Sequence, residues 1–175
     1  MTTPWVVTIV MGASGCGKTT LGQALARHVG SRFCDADDLH PAQNRAKMAR
    51  GEALNDRDRQ PWLAALGQLI DDHLARAQPL VLACSALKAA YRDQLRCAHP
   101  RVGLIYLRAD AALLTERLAT RRGHFFPPAL LASQLAALEA PTDAVVLDAA
   151  RPVAQLIELI DQRCGPPAAP PRAHR

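Results

Sequence analysis

The feature that most constrains this chain is a glycine-rich segment, residues 12–19, which reads GASGCGKT. It satisfies the pattern G-x-x-x-x-G-K-[ST] at every fixed position. Residues 5–11 before it are apolar and largely β-branched, which predicts a buried strand, and residues 20–27 after it place apolar side chains at helical spacing. A strand, a glycine loop and a helix in this order are typical of a phosphate-binding loop, which disfavours the alternative of a simple strand-to-helix turn.

The residues of this loop have distinct expected roles in binding a nucleoside triphosphate. Glycines let several backbone N–H groups converge on one anion, and the helix N-terminus adds the positive end of its dipole. Lys18 is expected to reach the β- and γ-phosphates, and the Thr19 hydroxyl is expected to ligate Mg²⁺. The predicted nucleotide-binding residues are Gly12, Ala13, Ser14, Gly15, Cys16, Gly17, Lys18, Thr19 and Thr20.

Apolar stretches alternate with helical patterns along the rest of the chain. Strands are predicted at residues 5–11, 32–35, 80–84, 102–107 and 144–147, and helices at 18–29, 41–50, 57–77, 88–98, 111–120, 128–138 and 153–163. This alternation predicts an α/β fold in which helices flank a parallel sheet and ligands bind at the carboxyl ends of the strands.

Length and composition favour a single domain. A chain of 175 residues with 49% hydrophobic residues can bury a sizeable core, which we assign to residues 1–164. The proline-rich residues 165–175 are expected to form a disordered or extended tail. Two segments are predicted insertions: the polar, helix-poor residues 38–61 would cap an acceptor site, and residues 117–128, with their arginine cluster, would form a mobile lid over phosphates.

Charge and cysteine content bound the partners and surroundings of the protein. The formal net charge is +5, which we interpret as an ordinary mixed surface rather than a nucleic-acid-binding face. Five cysteines without metal-binding spacing predict reduced thiols in a cytoplasmic protein. The sequence shows no signal-type stretch and no apolar run of about 20 residues, so we expect no membrane partner.

Carboxylates cluster directly after the second predicted strand. Asp35, Asp37 and Asp38 lie within four residues, and Asp35 and Asp37 would point the same way in an extended chain. Phosphoryl transfer to a hydroxyl needs one acidic group near the metal and another that orients the hydroxyl and takes its proton. We assign Asp35 to the metal shell and Asp37 to the hydroxyl. The alternative, aspartates that only form a turn and cap a helix, stays open, above all for Asp38.

Beyond these residues, the order and spacing of several motifs resemble those of the gluconokinase family. The matching segments are DADDLHP at 35–41, GEALNDRDRQPWL at 51–63, CSALK at 84–88, RGHFF at 122–126 and SQL at 133–135. The family is similar to shikimate kinase and the nucleoside monophosphate kinases, which implies a P-loop NTPase fold with a five-stranded parallel sheet and a mobile lid. The resemblance also implies ATP-dependent phosphorylation of the 6-hydroxyl of D-gluconate, and it is compatible with a homodimer.

Several residues in these motifs suit a sugar-acid substrate and a lid. Arg59 could grip the substrate carboxylate with its guanidinium fork. Arg117 has a place similar to that of the arginine that stacks on adenine in shikimate kinase, and Arg121 or Arg122 could neutralise charge on the transferred phosphoryl group. The predicted catalytic residues are Lys18, Asp37 and Arg121; the further predicted substrate contacts are His40, Ser85, Lys88, Arg92 and His124.

Two alternatives remain at this point. The same fold could phosphorylate another acceptor, such as shikimate, a nucleoside or a nucleotide, although residues 38–61 offer almost no aromatic side chain for stacking on a base. The chain could instead be a nucleotide-dependent binding module that turns over slowly or not at all. Lys18, Thr19, Asp35 and Asp37 together favour a kinase, since a pure binder could lose the carboxylate on the acceptor side.

Overall fold

The computed structural model describes residues 5–120 and 128–164, which form a five-stranded parallel sheet with helices around it. The strands are β1 (Val7–Met11), β2 (Arg32–Asp35), β3 (Leu80–Ala83), β4 (Val102–Arg108) and β5 (Val145–Asp148). They lie in the order β2-β3-β1-β4-β5, and every neighbouring pair is parallel. The predicted α/β fold with a five-stranded parallel sheet is confirmed.

Seven helices connect and cover these strands in the described part of the chain. They are α1 (Lys18–Val29), α2 (Ala42–Ala49), α3 (Asp56–Ala75), α4 (Ala89–Gln94), α5 (Ala111–Thr120), α6 (Pro128–Ala137) and α7 (Val153–Cys164). Helix α4 ends four residues earlier than predicted. Helices α2 and α3 confirm the predictions at 41–50 and 57–77, and because they occupy much of residues 38–61, the description of that segment as helix-poor is wrong. None of these helices is both long enough and apolar enough to cross a membrane.

The sheet separates two apolar layers, and β1 shows how the strand pattern produces them. Val7, Ile9 and Met11 are buried on one face, where they pack with α3, and Val10 is buried on the other face with α1 and α7. Side chains alternate between the faces of a strand, so a strand covered on both sides needs an uninterrupted apolar run. This explains why residues 7–11 are almost wholly apolar.

Strand order brings three functional loops to one edge of the sheet. The phosphate loop leaves β1 at the centre, the acidic segment leaves β2, and residues 84–88 leave β3, which lies between β1 and β2. The register is tight, since Val10 and Asp35 both pair with Ala83 from opposite sides of β3. The carboxyl ends of parallel strands meet at a common edge, which is where ligands bind in such sheets.

Helix α3 fixes the turn that follows β2. Its N-terminus is a capping box, in which Asn55 accepts a hydrogen bond from the Asp58 N–H and Asp58 accepts one from the Asn55 N–H. One turn further on, the buried Trp62 donates its indole N–H to the carbonyl of Ala36 over 2.7 Å. The ring of His40 stacks on Trp62 with centroids 4.3 Å apart. One tryptophan therefore holds both ends of the acidic turn.

We expect Trp62→Phe to destabilise the fold by about 1–3 kcal/mol, because the Ala36 carbonyl would lose its buried donor. Urea unfolding measures this loss. Trp5→Phe is the matched control, since the Trp5 indole N–H makes no hydrogen bond within the described residues. Equal losses in the two variants would mean that ring size, and not the bond to Ala36, stabilises the turn.

Candidate active site

The phosphate loop adopts a conformation that requires glycine at its first position. Gly12 has φ +147°, and a Cβ there would lie 2.7 Å from both the Leu107 carbonyl oxygen and the Cys16 sulfur. Gly15 and Gly17 also have positive φ angles, of 89° and 100°. Gly17 caps α1 without a side-chain hydrogen bond, so the first N–H groups of the helix face the loop and favour an anion.

Lys18 and Cys16 line the interior of this loop in different ways. The Lys18 ammonium folds back over the loop and donates a hydrogen bond to the Ala13 carbonyl, 3.1 Å away. Cys16 is buried, and its burial raises the pKa of the thiol above the usual range. Cys16 therefore remains a neutral thiol that packs the loop, while Lys18 supplies its positive charge.

The two residues predicted to hold Mg²⁺ are in direct contact. The Thr19 hydroxyl donates a hydrogen bond to one carboxylate oxygen of Asp35, with 2.7 Å between the oxygens. The other oxygen of Asp35 accepts a hydrogen bond from the Asp37 N–H over 3.1 Å. A hydroxyl and a carboxylate that converge beside a phosphate loop fit a hard cation that keeps several water ligands.

Asp37 reaches this site by a different route from the one the sequence indicates. The chain is extended only as far as Asp35, and Ala36–Leu39 form a 3₁₀ turn, so the expectation of a strand-like alternation through Asp37 is wrong. The turn nevertheless keeps Asp37 beside the phosphate loop, because Asp35 accepts hydrogen bonds both from the Asp37 N–H and from the Thr19 hydroxyl. Burial raises the pKa of the nearby Cys84 thiol to about 12.

A cluster of polar side chains joins α3 to the loop after β3. Asp56 accepts hydrogen bonds from the Lys88 ammonium at 2.8 Å to each oxygen, and it also accepts one from the Tyr91 hydroxyl. The Arg59 guanidinium lies 3.9 Å from Asp56 and 5.7 Å from the centre of the Tyr91 ring. These hydrogen bonds, chiefly that from Lys88, lower the pKa of Asp56. The sequence analysis assigns no role to Asp56, although it lies in the motif at 51–63, or to Tyr91, which lies three residues after the motif at 84–88.

The loop that follows β3 is hydrogen-bonded to the phosphate loop and is supported by a buried arginine side chain. The Ser85 carbonyl accepts a hydrogen bond from the Gly12 N–H over 3.4 Å. Arg92, a predicted substrate contact, is 8% exposed, and its Nη1 donates to the carbonyls of Ala86 and Leu87 at 3.0 and 3.1 Å. Ala86 has φ +46°, which is unusual for a residue with a side chain. Arg92 thus stabilises a strained turn through hydrogen bonds from the protein interior.

His40 is buried beside the acidic turn. It is 6% exposed, stacks on Trp62, and lies 3.4 Å from the Asn44 amide through its Nδ1. Burial, with smaller effects from Arg59 and Arg45, lowers the pKa of His40 to about 4. The ring is therefore neutral at physiological pH, and packing against Trp62 accounts for most of its surroundings.

Arg117 connects α5 to the other end of the phosphate loop. Its guanidinium donates to the carbonyl of Cys16 at 3.2 Å and to that of Ala149, after β5, at 2.8 Å. This position at the loop suits contact with a nucleotide. Arg121, Arg122 and His124 lie outside the described residues, as does most of the predicted lid.

Known proteins with similar sequences identify the family. A family model described as an AAA domain matches residues 7–141. A probable gluconokinase of Mus musculus is 44% identical over 153 residues, which cover 78% of this chain and 83% of the relative. The thermoresistant gluconokinase of Escherichia coli strain K12 is 41% identical over 160 residues, which cover 87% and 91%. This chain belongs to the gluconokinase family.

A solved structure extends this relationship to three dimensions. The crystal structure of a gluconokinase from Sinorhizobium meliloti 1021 matches with a TM-score of 0.78 and 42% identity, over 89% of each chain. The chain is accordingly an ATP-dependent kinase of the gluconokinase family.

The low pKa of His40 predicts a defined pH dependence of stability. The unfolded chain binds a proton near pH 6.5 and the folded chain only near pH 4, so folding stability is fully present above pH 6.5 and falls between these values. At pH 5 we expect this group to cost about 2 kcal/mol. His40→Phe keeps a ring against Trp62 but has no group that titrates. Urea unfolding at pH 7 and at pH 5 should therefore show a smaller loss of unfolding free energy on acidification in this variant than in the unaltered protein. If His40→Phe lost as much unfolding free energy between pH 7 and pH 5 as the unaltered protein, the assignment of this pH dependence to His40 would be wrong.

Proposed function

We propose that this protein transfers the γ-phosphoryl group of ATP to the 6-hydroxyl of D-gluconate, giving 6-phospho-D-gluconate and ADP. The observation that carries the proposal is a cationic cluster, Arg59 and Lys88 around Asp56, which joins the start of α3 to the loop after β3 in a gluconokinase-family chain. Two cations against one carboxylate leave one positive charge. That charge suits the single carboxylate of gluconate.

The nucleotide end of the site follows from the phosphate loop. Backbone N–H groups of residues 12–19 and the N-terminus of α1 would cradle the phosphates, and Lys18 would leave the Ala13 carbonyl for the β- and γ-phosphates. Thr19 and Asp35 would hold Mg²⁺, directly and through water, because their oxygens already converge. When bound, the ion neutralises negative charge on the phosphates. Arg117, with Arg121 from the lid segment, would add positive charge at this end.

The acceptor end uses Arg59, Lys88 and Asp37. One nitrogen of Arg59 donates to the Leu54 carbonyl over 2.5 Å, which holds the side chain while its fork stays suited to the substrate carboxylate. Lys88 and Ser85 follow β3 and would meet the sugar hydroxyls. Asp37 would accept the proton of the 6-hydroxyl as that oxygen attacks the γ-phosphorus. Arg92 and His40 would act indirectly, by holding the loop after β3 and the acidic turn.

The cellular compartment, the oligomeric state and the extent of the domain are also proposals. The five cysteines are free thiols, which suits a reducing compartment, and ATP is available in the cytoplasm, so we propose that the reaction takes place there. The homodimer that the family resemblance accommodates stays a prediction, as does the extent of the single domain over residues 1–164.

The experiment that tests this function is a coupled ADP-release assay with Mg-ATP and a panel of acceptors. The panel contains D-gluconate, other sugar acids, glucose, shikimate and a nucleoside monophosphate. We expect selective turnover of gluconate and none of glucose, which has no carboxylate for Arg59. Turnover of a different acceptor would mean that the segment around Arg59 reads another substrate. ATP binding without acceptor-dependent turnover would favour a binding module.

Asp37→Asn should lower kcat by about 100-fold or more and leave ATP affinity nearly intact, because an amide can orient the hydroxyl but cannot take its proton. Steady-state kinetics with gluconate and calorimetric binding of ATP measure the two quantities. Asp38→Asn is the matched control on the same 3₁₀ turn, and we expect it to retain turnover. If Asp37→Asn turned over normally, Asp37 would be a turn residue only.

A further inference from the structure

Helix α6 contacts the phosphate loop through one glutamine, which lies 120 residues away in sequence. The Ser14 N–H donates a hydrogen bond to Oε1 of Gln134 over 2.8 Å, and Nε2 of Gln134 donates one to the Ser14 hydroxyl oxygen over 3.0 Å. Neither bond is explained by the roles assigned so far. Both ends of one side-chain amide are therefore committed to a single residue of the loop.

The chemistry of these two bonds restricts the direction of the Ser14 hydroxyl proton. A backbone N–H can only donate, so the atom of Gln134 that faces it must be the oxygen, and the other end must be the NH₂ group. The Ser14 oxygen then accepts from that NH₂ group with one lone pair. Its own proton must point away from Gln134, which leaves the hydroxyl available to donate a hydrogen bond into the loop.

Neighbouring contacts show which end of the loop Ser14 occupies. The preceding residue, Ala13, accepts a hydrogen bond from the Lys18 ammonium, which is the group that reaches the β- and γ-phosphates. Gly12 contacts Ser85 on the acceptor side. The other end of the loop contacts Arg117 through Cys16. Ser14 directly follows the residue whose carbonyl holds the Lys18 ammonium, so it belongs to the part of the loop that would face the β- and γ-phosphates.

We propose that Gln134 is a positioning residue that orients the Ser14 hydroxyl to donate a hydrogen bond to the transferred phosphoryl group. A donor held in advance toward the place where charge develops stabilises the transition state without reorganisation. The support is rigid, because α6 is also anchored beyond its C-terminus: the Glu139 N–H donates to the Leu87 carbonyl at 2.9 Å, and the Glu139 carboxylate accepts from the Ala89 N–H at 2.6 Å. The inference rests on the proposed function in that ATP is the phosphoryl donor.

Two substitutions separate this role from simple support of the loop. Gln134→Met has a similar length and removes both hydrogen bonds, whereas Ser14→Ala removes only the hydroxyl and keeps the bond from the backbone N–H to Gln134. We expect each to lower kcat by about 10- to 100-fold. The double variant should be no worse than the worse single variant, because the two residues act as one unit. Ser133→Ala, exposed on the same helix, is the control and should retain turnover.

Calorimetric binding of ADP and of β,γ-imido-ATP decides the inference without an acceptor. If Gln134 orients Ser14 toward the γ-phosphate, both variants should bind ADP within about 2-fold of the affinity of the unaltered protein. Only the analogue that carries a γ-phosphate should bind clearly more weakly. Equal losses for both nucleotides in Gln134→Met, with Ser14→Ala unaffected, would show loop support and overturn it. Tighter analogue binding would show that Gln134 competes with phosphate, which also overturns it. Absence of gluconate turnover in the unaltered protein would count against the proposed function alone, since the binding comparison still decides this inference.

Discussion

The close approach of Gly12 to the carbonyl of Leu107 is the constraint on which the rest of the site depends. No Cβ fits in that contact, and the φ of +147° lies in a region that residues with a side chain rarely adopt. The loop can therefore leave β1 tightly against β4 while its N–H contacts Ser85 after β3. This places one phosphate site over the centre of the sheet, where the loops after β2 and β3 can reach it.

On the acceptor side, polar residues that the sequence suggests as substrate contacts are buried and support the residues that face the site. Trp62 and His40 hold the acidic turn, and Arg92 holds the loop after β3, so that the shorter or more exposed groups Asp37, Arg59 and Lys88 are presented at the edge. Asp56 offsets part of the positive charge of Arg59 and Lys88. Such a supporting layer positions charges before the substrate arrives, which is how an active site avoids the cost of reorganisation.

Much of the fold was predictable because its signals are local. The helices at 18–29 and 111–120 and the strand at 32–35 have the predicted bounds, since the local apolar pattern indicates them and glycines flank the first helix on both sides. The polar composition of residues 38–61 suggests few helices, but the apolar spacing predicts helices at 41–50 and 57–77, and α2 and α3 lie close to those bounds. The Asn55–Asp58 capping box, which is visible in the sequence, determines where α3 begins.

The sequence by itself determined the phosphate loop, the parallel sheet and the family, because these depend on residue order over short spans. Only the tertiary structure decided which of the polar residues face the site. Arg92 and His40 are buried, Asp56 and Tyr91 join Lys88, and Gln134 meets Ser14 across 120 residues. The physical reason is that burial and hydrogen-bond partners are properties of packed elements, and no spacing along the chain reports which surfaces of α3, α4 and α6 come together.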